Sequence, residues 1–261
     1  MSDKSGIGQV VSFMLAVTFM KSGSIFKPEI IGLFIIGIAC LVIFTKRQLK
    51  SPEPLLKLSL FKYRSLVFGV ILLGISYVIM VAGTIFVPIY IQIICGYSAT
   101  ISGLIMLPGS LLIAVLSPAT GRLVDDFGAS QICFIGMIFL IIGNVPFVFY
   151  DSHTALSMIC VAYIIRSIGL AFLIIACTSL GLQNLPLIDK PQGTAIQNSL
   201  RQMIGSLFST ILVVVASIIS SPSAINVSGM HISFLIMTIM TLIGLFISFF
   251  SVRTNDYKYC G

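Results

Sequence analysis

Long runs of apolar residues dominate the sequence, and only short polar stretches separate them. A helix needs about 20 apolar residues to cross a hydrocarbon core of about 30 Å, and these runs are close to that length or longer. Because barrel strands would alternate polar and apolar side chains, the unbroken runs predict helices. The expected fold is an all-α membrane protein with about eight transmembrane helices. The candidate spans cover residues 6–22, 29–45, 66–94, 99–120, 130–149, 155–180, 194–219 and 230–252.

The composition excludes an ordinary soluble domain. Charged residues make up 9% of the chain, whereas soluble domains carry about 25%. The formal net charge of +7 would indicate nucleic-acid binding only if Lys and Arg clustered on a soluble face, which a chain this apolar does not offer. We therefore expect the lipid bilayer as a partner and no nucleic acid.

The positive charges predict how the chain is oriented in the membrane. With an even number of spans both termini lie on one side, and that side then holds eleven of the Lys and Arg residues. The opposite side holds only Lys21 and Lys27. Because cytoplasmic loops carry an excess of positive charge, we expect a multi-pass protein of the cell membrane with both termini in the cytoplasm.

A basic stretch divides the chain into two unequal parts. We expect two central transmembrane helices in residues 1–45, a basic cytoplasmic linker in residues 46–65, a six-helix bundle in residues 66–252 and a cytoplasmic tail in residues 253–261. Six spans with both ends on one side match the size of one bundle in transporters that are built from two six-span halves.

One stretch carries a specific resemblance. The sequence GYSATISGLIMLPGSLLIAVLSPATGRLVDDFGAS, residues 96–130, resembles part of the C-terminal bundle of the major facilitator superfamily. More narrowly, it is similar to the fourteen-span drug:proton antiporters, which include exporters of lincomycin-type and quaternary-ammonium drugs. The stretches SPEPLLKLSLFKYRS and LGLQNLPLIDKPQGTAIQNSLRQMIGS resemble other parts of that half. The matched positions in the first stretch are Gly96, Tyr97, Ser98, Gly103, Leu107, Pro108, Gly109, Pro118, Gly121, Asp125 and Gly128.

The resemblance implies a function and also a departure from the family pattern. Such antiporters exchange an inward proton for an outward amphipathic or cationic drug, so the proton gradient supplies the energy and no cofactor is expected. The acidic residue of the first helix and the Gly-Pro antiporter motif belong to the N-terminal bundle, which the resemblance does not cover. The expectation is a C-terminal portion of an exporter. The alternatives are a non-transporting fragment, a membrane subunit that needs a partner half or a second copy, and a facilitator for another small solute.

The polar segment GRLVDDFG, residues 121–128, separates two spans. By the resemblance, Asp125 is a gating residue whose contact with a neighbouring helix forms in one state and breaks in the other, while Gly121 and Gly128 allow close approach and tight turns. Relatives usually carry a basic residue where this chain has Asp126, so the contact is weakened or re-formed with Arg122. The alternative is a solvated cytoplasmic turn. The resemblance also gives Pro108, Gly109 and Pro118 a role in shaping their helix.

Polar side chains within the spans are the candidates for a substrate cavity. Arg166 lies near the midplane of its span, and no acidic residue lies in the interior of any span. Arg166 has two interpretations. It lines a substrate cavity, or it holds helices together by donating hydrogen bonds to backbone carbonyls or to Asn144. A second group forms two i, i+4 pairs on one helical face. Either this face lines a cavity, or these residues belong to the start of the helix and lie in the headgroup zone. That group is Gln197, Asn198, Arg201 and Gln202, and Gln92 and Asn144 are further cavity candidates.

No pattern in the sequence indicates an enzyme. There is no Gly-rich phosphate-binding loop, no Ser/His/Asp constellation and no metal-ligand spacing among the six Cys residues. We therefore expect neither catalytic activity nor a bound metal.

Overall fold

The computed structural model describes residues 58–152, 154–219 and 227–256, and their contacts form one compact unit that begins at Leu58. The first two candidate spans and most of the basic linker lie outside the described residues. Within the described part every long element is helical and there is no strand.

Six long helices follow one another along the chain. A 3-10 turn, Leu58–Lys62, precedes the first helix, and a π-helical turn, Tyr90–Ile94, extends it. Each of the six is long and apolar enough to cross a membrane, so the predicted all-α membrane fold is confirmed for this part of the chain. The helices are α1 (Arg64–Ile89), α2 (Ala99–Phe127), α3 (Ala129–Phe149), α4 (Leu156–Leu182), α5 (Lys190–Ile219) and α6 (Val227–Asp256).

Helix α4 is central and packs against α1, α2 and α3, while α3 packs on α6 and α1 on α5. Lipid offers no hydrophobic driving force for helix association, so transmembrane helices are held together by tight packing. Glycines allow that packing because they have no side chain to keep the backbones apart. A Cβ atom on Gly169 of α4 would lie 2.8 Å from the carbonyl oxygen of Gly136 on α3. A Cβ atom on Gly109 of α2 would meet the Ser167 hydroxyl on α4 at 2.5 Å. Gly109 thus shapes a contact between helices.

The connection between α2 and α3 differs from the prediction. Helix α2 continues to Phe127, so Gly121, Arg122 and both aspartates lie in its last turns rather than in a loop. Hydropathy marks where the apolar run ends, but a helix can continue into water beyond that point. Gly128 alone joins the two helices, with φ +87° and ψ +146°, a conformation that is essentially restricted to glycine.

Hydrogen bonds fix the turn at the opposite end of the bundle, between α3 and α4. The Tyr90 hydroxyl donates to the carbonyl oxygen of Asp151 at 2.7 Å, and Nε2 of His231 lies 2.8 Å from the carbonyl oxygen of Tyr150. Burial raises the pKa of Tyr150, so its hydroxyl stays protonated and donates to the carbonyl oxygen of Met158 at 3.0 Å. This turn is therefore tied to α1 and α6.

Candidate functional site

Helix α5 presents polar side chains to the outside of the bundle in the middle of its candidate span, Leu187–Ala216. Asn198 and Gln202 are exposed and Arg201 is half-buried. An apolar lipid phase cannot satisfy the hydrogen-bonding groups of such side chains. This part of α5 therefore fits a face that meets water or protein rather than lipid.

Tyr77 of α1 organises this polar face. Its hydroxyl donates to Oε1 of Gln202 at 2.8 Å, and Cζ of Arg201 lies 5.3 Å from the centroid of its ring. The ring also lies against Gly205, where a Cβ atom would be 3.0 Å from Cε1 of the tyrosine. We call Tyr77, Asn198, Arg201 and Gln202 the α5 polar cluster.

The sequence prediction did not include Tyr77. A signal for it exists, because Tyr in membrane proteins concentrates at the interfaces, where its hydroxyl reaches water. A tyrosine in the middle of the apolar span Arg64–Ile94 needs a hydrogen-bond partner on another helix. That requirement could have marked it as part of a polar site.

Gln197 was predicted on the same helical face, but the structure places it elsewhere. Its side chain is buried and reaches α4, where Nε2 donates to the carbonyl oxygen of Thr178 at 3.4 Å. A Cβ atom on Gly181 would collide with that amide nitrogen. Successive helical residues are rotated by about 100°, so the predicted group spans a wide arc. One edge faces α4 and the other forms the α5 polar cluster.

Arg166 is enclosed by three helices. It extends from α4 to α1, where Nη2 donates to the carbonyl oxygen of Ile79 and the guanidinium fills the space beside Gly83. Its Cζ lies 5.9 Å from the ring centroid of Tyr163. On the α3 side, a Cβ atom on Gly143 would lie 2.6 Å from Cα of Arg166. The side chain is buried inside the bundle. Its hydrogen bond to a backbone carbonyl is one of the two alternatives that the sequence left open.

The two remaining cavity candidates lie apart from the α5 polar cluster. Asn144 is fully buried on α3, and neither atom of its amide has a hydrogen-bond partner among the described residues. Gln92 is exposed in the π-helical turn that extends α1. The structure therefore unites only Asn198, Arg201 and Gln202 of the predicted cavity residues, together with Tyr77.

The predicted gating residues lie at the C-terminal end of α2. Arg122, Asp125 and Asp126 are exposed, and in the part of the chain that the structure describes none of them makes an ion pair. Pro108 is half-buried and Pro118 exposed, and both lie inside α2. These carboxylates are thus available to a partner surface outside the bundle.

The described residues show no candidate metal centre. They contain no group of three or more His, Cys, Asp or Glu side chains that could hold a metal ion. A groove of about 470 Å³ lies between α3 and α4, and its walls are mostly apolar. None of the predicted site residues lines it; Ile142, Pro146, Tyr150, Met158, Val161 and Ile165 are among those that do.

Comparison with known proteins adds a family relationship. The sequence profile of the Major Facilitator Superfamily matches residues 5–210. The chain is 30% identical to the lincomycin resistance protein LmrB of Bacillus subtilis, over 90% of this chain and 52% of that protein. It is 32% identical to LmrB of Listeria innocua, over 70% of this chain and 39% of that protein.

A further relative is also matched over only part of its length. The chain is 29% identical to the uncharacterized MFS-type transporter YcnB of Bacillus subtilis, over 82% of this chain and 47% of that protein. The chain thus spans about half the length of these relatives, or less.

Proposed function

Since this chain belongs to the major facilitator superfamily of transporters, we propose that its six-helix bundle forms one wall of a drug-export pathway. Because LmrB is named for lincomycin resistance, lincomycin is the first substrate to test, followed by the amphipathic or cationic drugs that the sequence resemblance implies. The second wall is a second six-helix bundle of the same family type, packed against this one. Alternating access then follows from rocking of the two bundles around a site between them.

The observation that carries this proposal is the α5 polar cluster. In a bundle surrounded entirely by lipid, exposed amide and guanidinium groups in the middle of a span are unfavourable, by roughly 2.5–3.5 kcal/mol for an Arg at the centre. A pathway between two bundles provides both water and polar partners at that depth. The exposed face of α5 around Asn198 and Gln202 is therefore the wall of the pathway.

The exposed end of α2 supports a gate on the same pathway. Asp125 and Asp126 have no ion-pair partner among the described residues, although they lie in the last turn of a long helix. A carboxylate at this place can bind a basic side chain or a helix N-terminus of the second bundle in one state and release it in the other. We assign this end to the cytoplasm and both chain termini to the same side, in the cell membrane.

We propose the proton gradient as the energy source. The chain resembles drug:proton antiporters, and its sequence offers no phosphate-binding loop that would favour ATP. The proton-carrying residue then belongs to the second wall, because the acidic side chains of the described residues all lie at helix ends or in turns. Export by this bundle together with a second wall should stop when a protonophore collapses the gradient.

The test is reconstruction of both walls in a drug-susceptible bacterium. This chain is expressed with the N-terminal half of LmrB from Bacillus subtilis, and susceptibility to lincomycin, ethidium and a quaternary ammonium is measured. We expect resistance only when both halves are present, and we expect a protonophore to restore ethidium accumulation. Each half expressed alone is the matched control, and membrane levels of both halves are measured by immunoblot.

The outcomes separate the parts of the proposal. Unchanged susceptibility to all three drugs, with both halves present in the membrane, would argue against export. Resistance conferred by this chain alone would identify a second copy as the second wall. Export that continues without a proton gradient would contradict the proposed coupling.

A further inference from the structure

The α5 polar cluster contains a guanidinium whose hydrogen-bonding edges are free. Arg201 lies at the middle of the span Leu187–Ala216, and none of its N–H groups donates to another residue in the described ranges. A cation–π contact places its Cζ 5.3 Å from the ring centroid of Tyr77. Such a contact uses none of the N–H donors of the guanidinium, so they can bind an oxyanion through two parallel hydrogen bonds.

Contacts with α5 hold the ring of Tyr77 in place. The ring rests against the backbone of α5 at Gly205, and its hydroxyl donates to Gln202, the residue that follows the arginine. The aromatic surface that the guanidinium contacts is therefore in place before any ligand arrives. Less conformational entropy is therefore lost on binding, which favours affinity.

The charges of the bundle determine which ligand this guanidinium favours. Arg166 and Arg201 are the two charged residues in the interior of the described spans, and both are cations. The described acidic residues lie at helix ends or in turns, far along the chain from the middle of any span. At mid-span a cationic solute would find no counter-charge on this wall, whereas an anionic group would gain a charge-assisted hydrogen bond.

On these grounds, and resting on the proposed function, we propose that Arg201 is the substrate-binding residue of this wall and that it selects solutes carrying a carboxylate next to an apolar body. Asn198, one turn earlier on α5, supplies a further exposed amide beside the carboxylate. The apolar body packs on the exposed side chain of Phe208, which lies two turns further along α5 on the side of Arg201. A cationic drug would then depend on the second wall for its counter-charge.

A matched series of ligands tests this selectivity directly. The full chain is placed in nanodiscs of uncharged phosphatidylcholine at pH 7, and binding of tritiated 4-phenylbutyrate, 4-phenylbutylammonium and 4-phenylbutanol is measured by scintillation proximity. The three have a phenyl ring and a four-carbon chain in common and differ in the terminal polar group. We expect the carboxylate to bind at least about tenfold more tightly than the other two, as a charged hydrogen bond implies.

Variants of the cluster assign the preference to its residues. Arg201→Gln should abolish the difference between the three ligands, and Arg201→Lys should restore only part of it, because Lys lacks the planar fork. Tyr77→Leu should weaken carboxylate binding by removing the aromatic ring that the guanidinium contacts. Arg64→Gln, at the exposed start of α1, is the matched control and should keep the full preference. Size-exclusion profiles confirm that each variant is folded.

The binding experiment and the export experiment can fail independently of each other. Equal affinities for the three ligands in the unaltered chain, or a preference that survives Arg201→Gln, would overturn the inference. A chain that takes part in drug export but shows no carboxylate preference overturns this inference alone. A carboxylate preference that depends on Arg201, without export in the reconstructed pair, supports the site and contradicts the export pathway.

Discussion

The backbones of α1 and α4 meet where Gly69 faces Gly181, so closely that a Cβ atom on Gly69 would lie 2.6 Å from Cα of Gly181. A second atom of that contact, the carbonyl oxygen of Cys177, would be only 2.8 Å away. Because both neighbours are backbone, neither can move without shifting a helix. Gly69 therefore fixes the distance between the two helices.

Gly69→Ala should lower the free energy of unfolding by about 1–3 kcal/mol, the usual effect of overpacking a tight contact. The measurement is thermal and denaturant-induced unfolding in detergent micelles, followed by circular dichroism. Gly103→Ala on α2 is the control, since a Cβ atom there meets nothing within 4 Å. Equal losses in both variants would show that the contact with Gly181 does not decide stability.

The two glycines of the GRLVDDFG segment should respond in opposite directions. Gly128→Ala forces a Cβ atom into the glycine-only conformation between α2 and α3, and we expect it to destabilise the protein by about 1–3 kcal/mol. Gly121→Ala lies within α2 and meets no atom within 4 Å. It should be neutral or stabilising by up to about 1 kcal/mol, because Ala is the better helix former. A loss of stability at Gly121 similar to that at Gly128 would contradict the helical assignment of the segment.

Arg166 and Gly83 should be energetically coupled. Gly83→Ala places a methyl group in the space that the guanidinium occupies, so it should be destabilising alone. Arg166→Met removes a buried cation that has no acidic partner among the described residues, and it should leave stability unchanged or raise it. In the Arg166→Met background, Gly83→Ala should then be tolerated.

A double-mutant cycle measures that coupling, with an expected interaction energy of about 0.5–3 kcal/mol. Gly121→Ala in the same Arg166→Met background is the matched control. Additive effects of the Gly83 and Arg166 substitutions would show that the guanidinium does not occupy the space beside Gly83.

Asp125 and Asp126 should differ in export but not in stability. Both are exposed and unpaired within the described part of the chain, and exposed charges contribute little to the free energy of unfolding. Asp125→Asn should reduce drug resistance in the reconstructed pair because Asp125 is the proposed gate contact. Asp126→Asn should leave resistance close to that of the unaltered pair. The assignment of the gate to Asp125 fails if the two variants lose resistance equally.

The sequence was sufficient to predict the helices but not their exact ends. Six predicted spans between residues 66 and 252 correspond to six helices, since a bilayer accepts only segments that are long, apolar and internally hydrogen-bonded. The end of α2 was wrong by several residues because hydropathy reports the solvent around a segment. The charged residues near Asp125 change that solvent without breaking the helix.

The contacts within the candidate site were less predictable. Arg166 and Gly83 lie 83 positions apart, and Tyr77 and Gln202 lie 125 apart, and no local pattern couples such positions. Periodicity placed Gln197 on the same face as Asn198 and Arg201. The actual boundary between the buried and exposed sides of α5 depends on where α4 packs, which the spacing of polar residues cannot show.

The exposed apolar strip of α2, formed by Leu104, Leu107, Leu111 and Val115, has a consequence for how two bundles would separate. In water, uncovering such a surface would be opposed by the hydrophobic effect. Inside a bilayer, acyl chains can replace a departing protein surface at almost no free-energy cost, since lipid tails are as apolar as leucine. Against the proposed second bundle, the strip would therefore slide or part repeatedly, and the polar contacts proposed at mid-span and at the end of α2 would set the barrier to that motion.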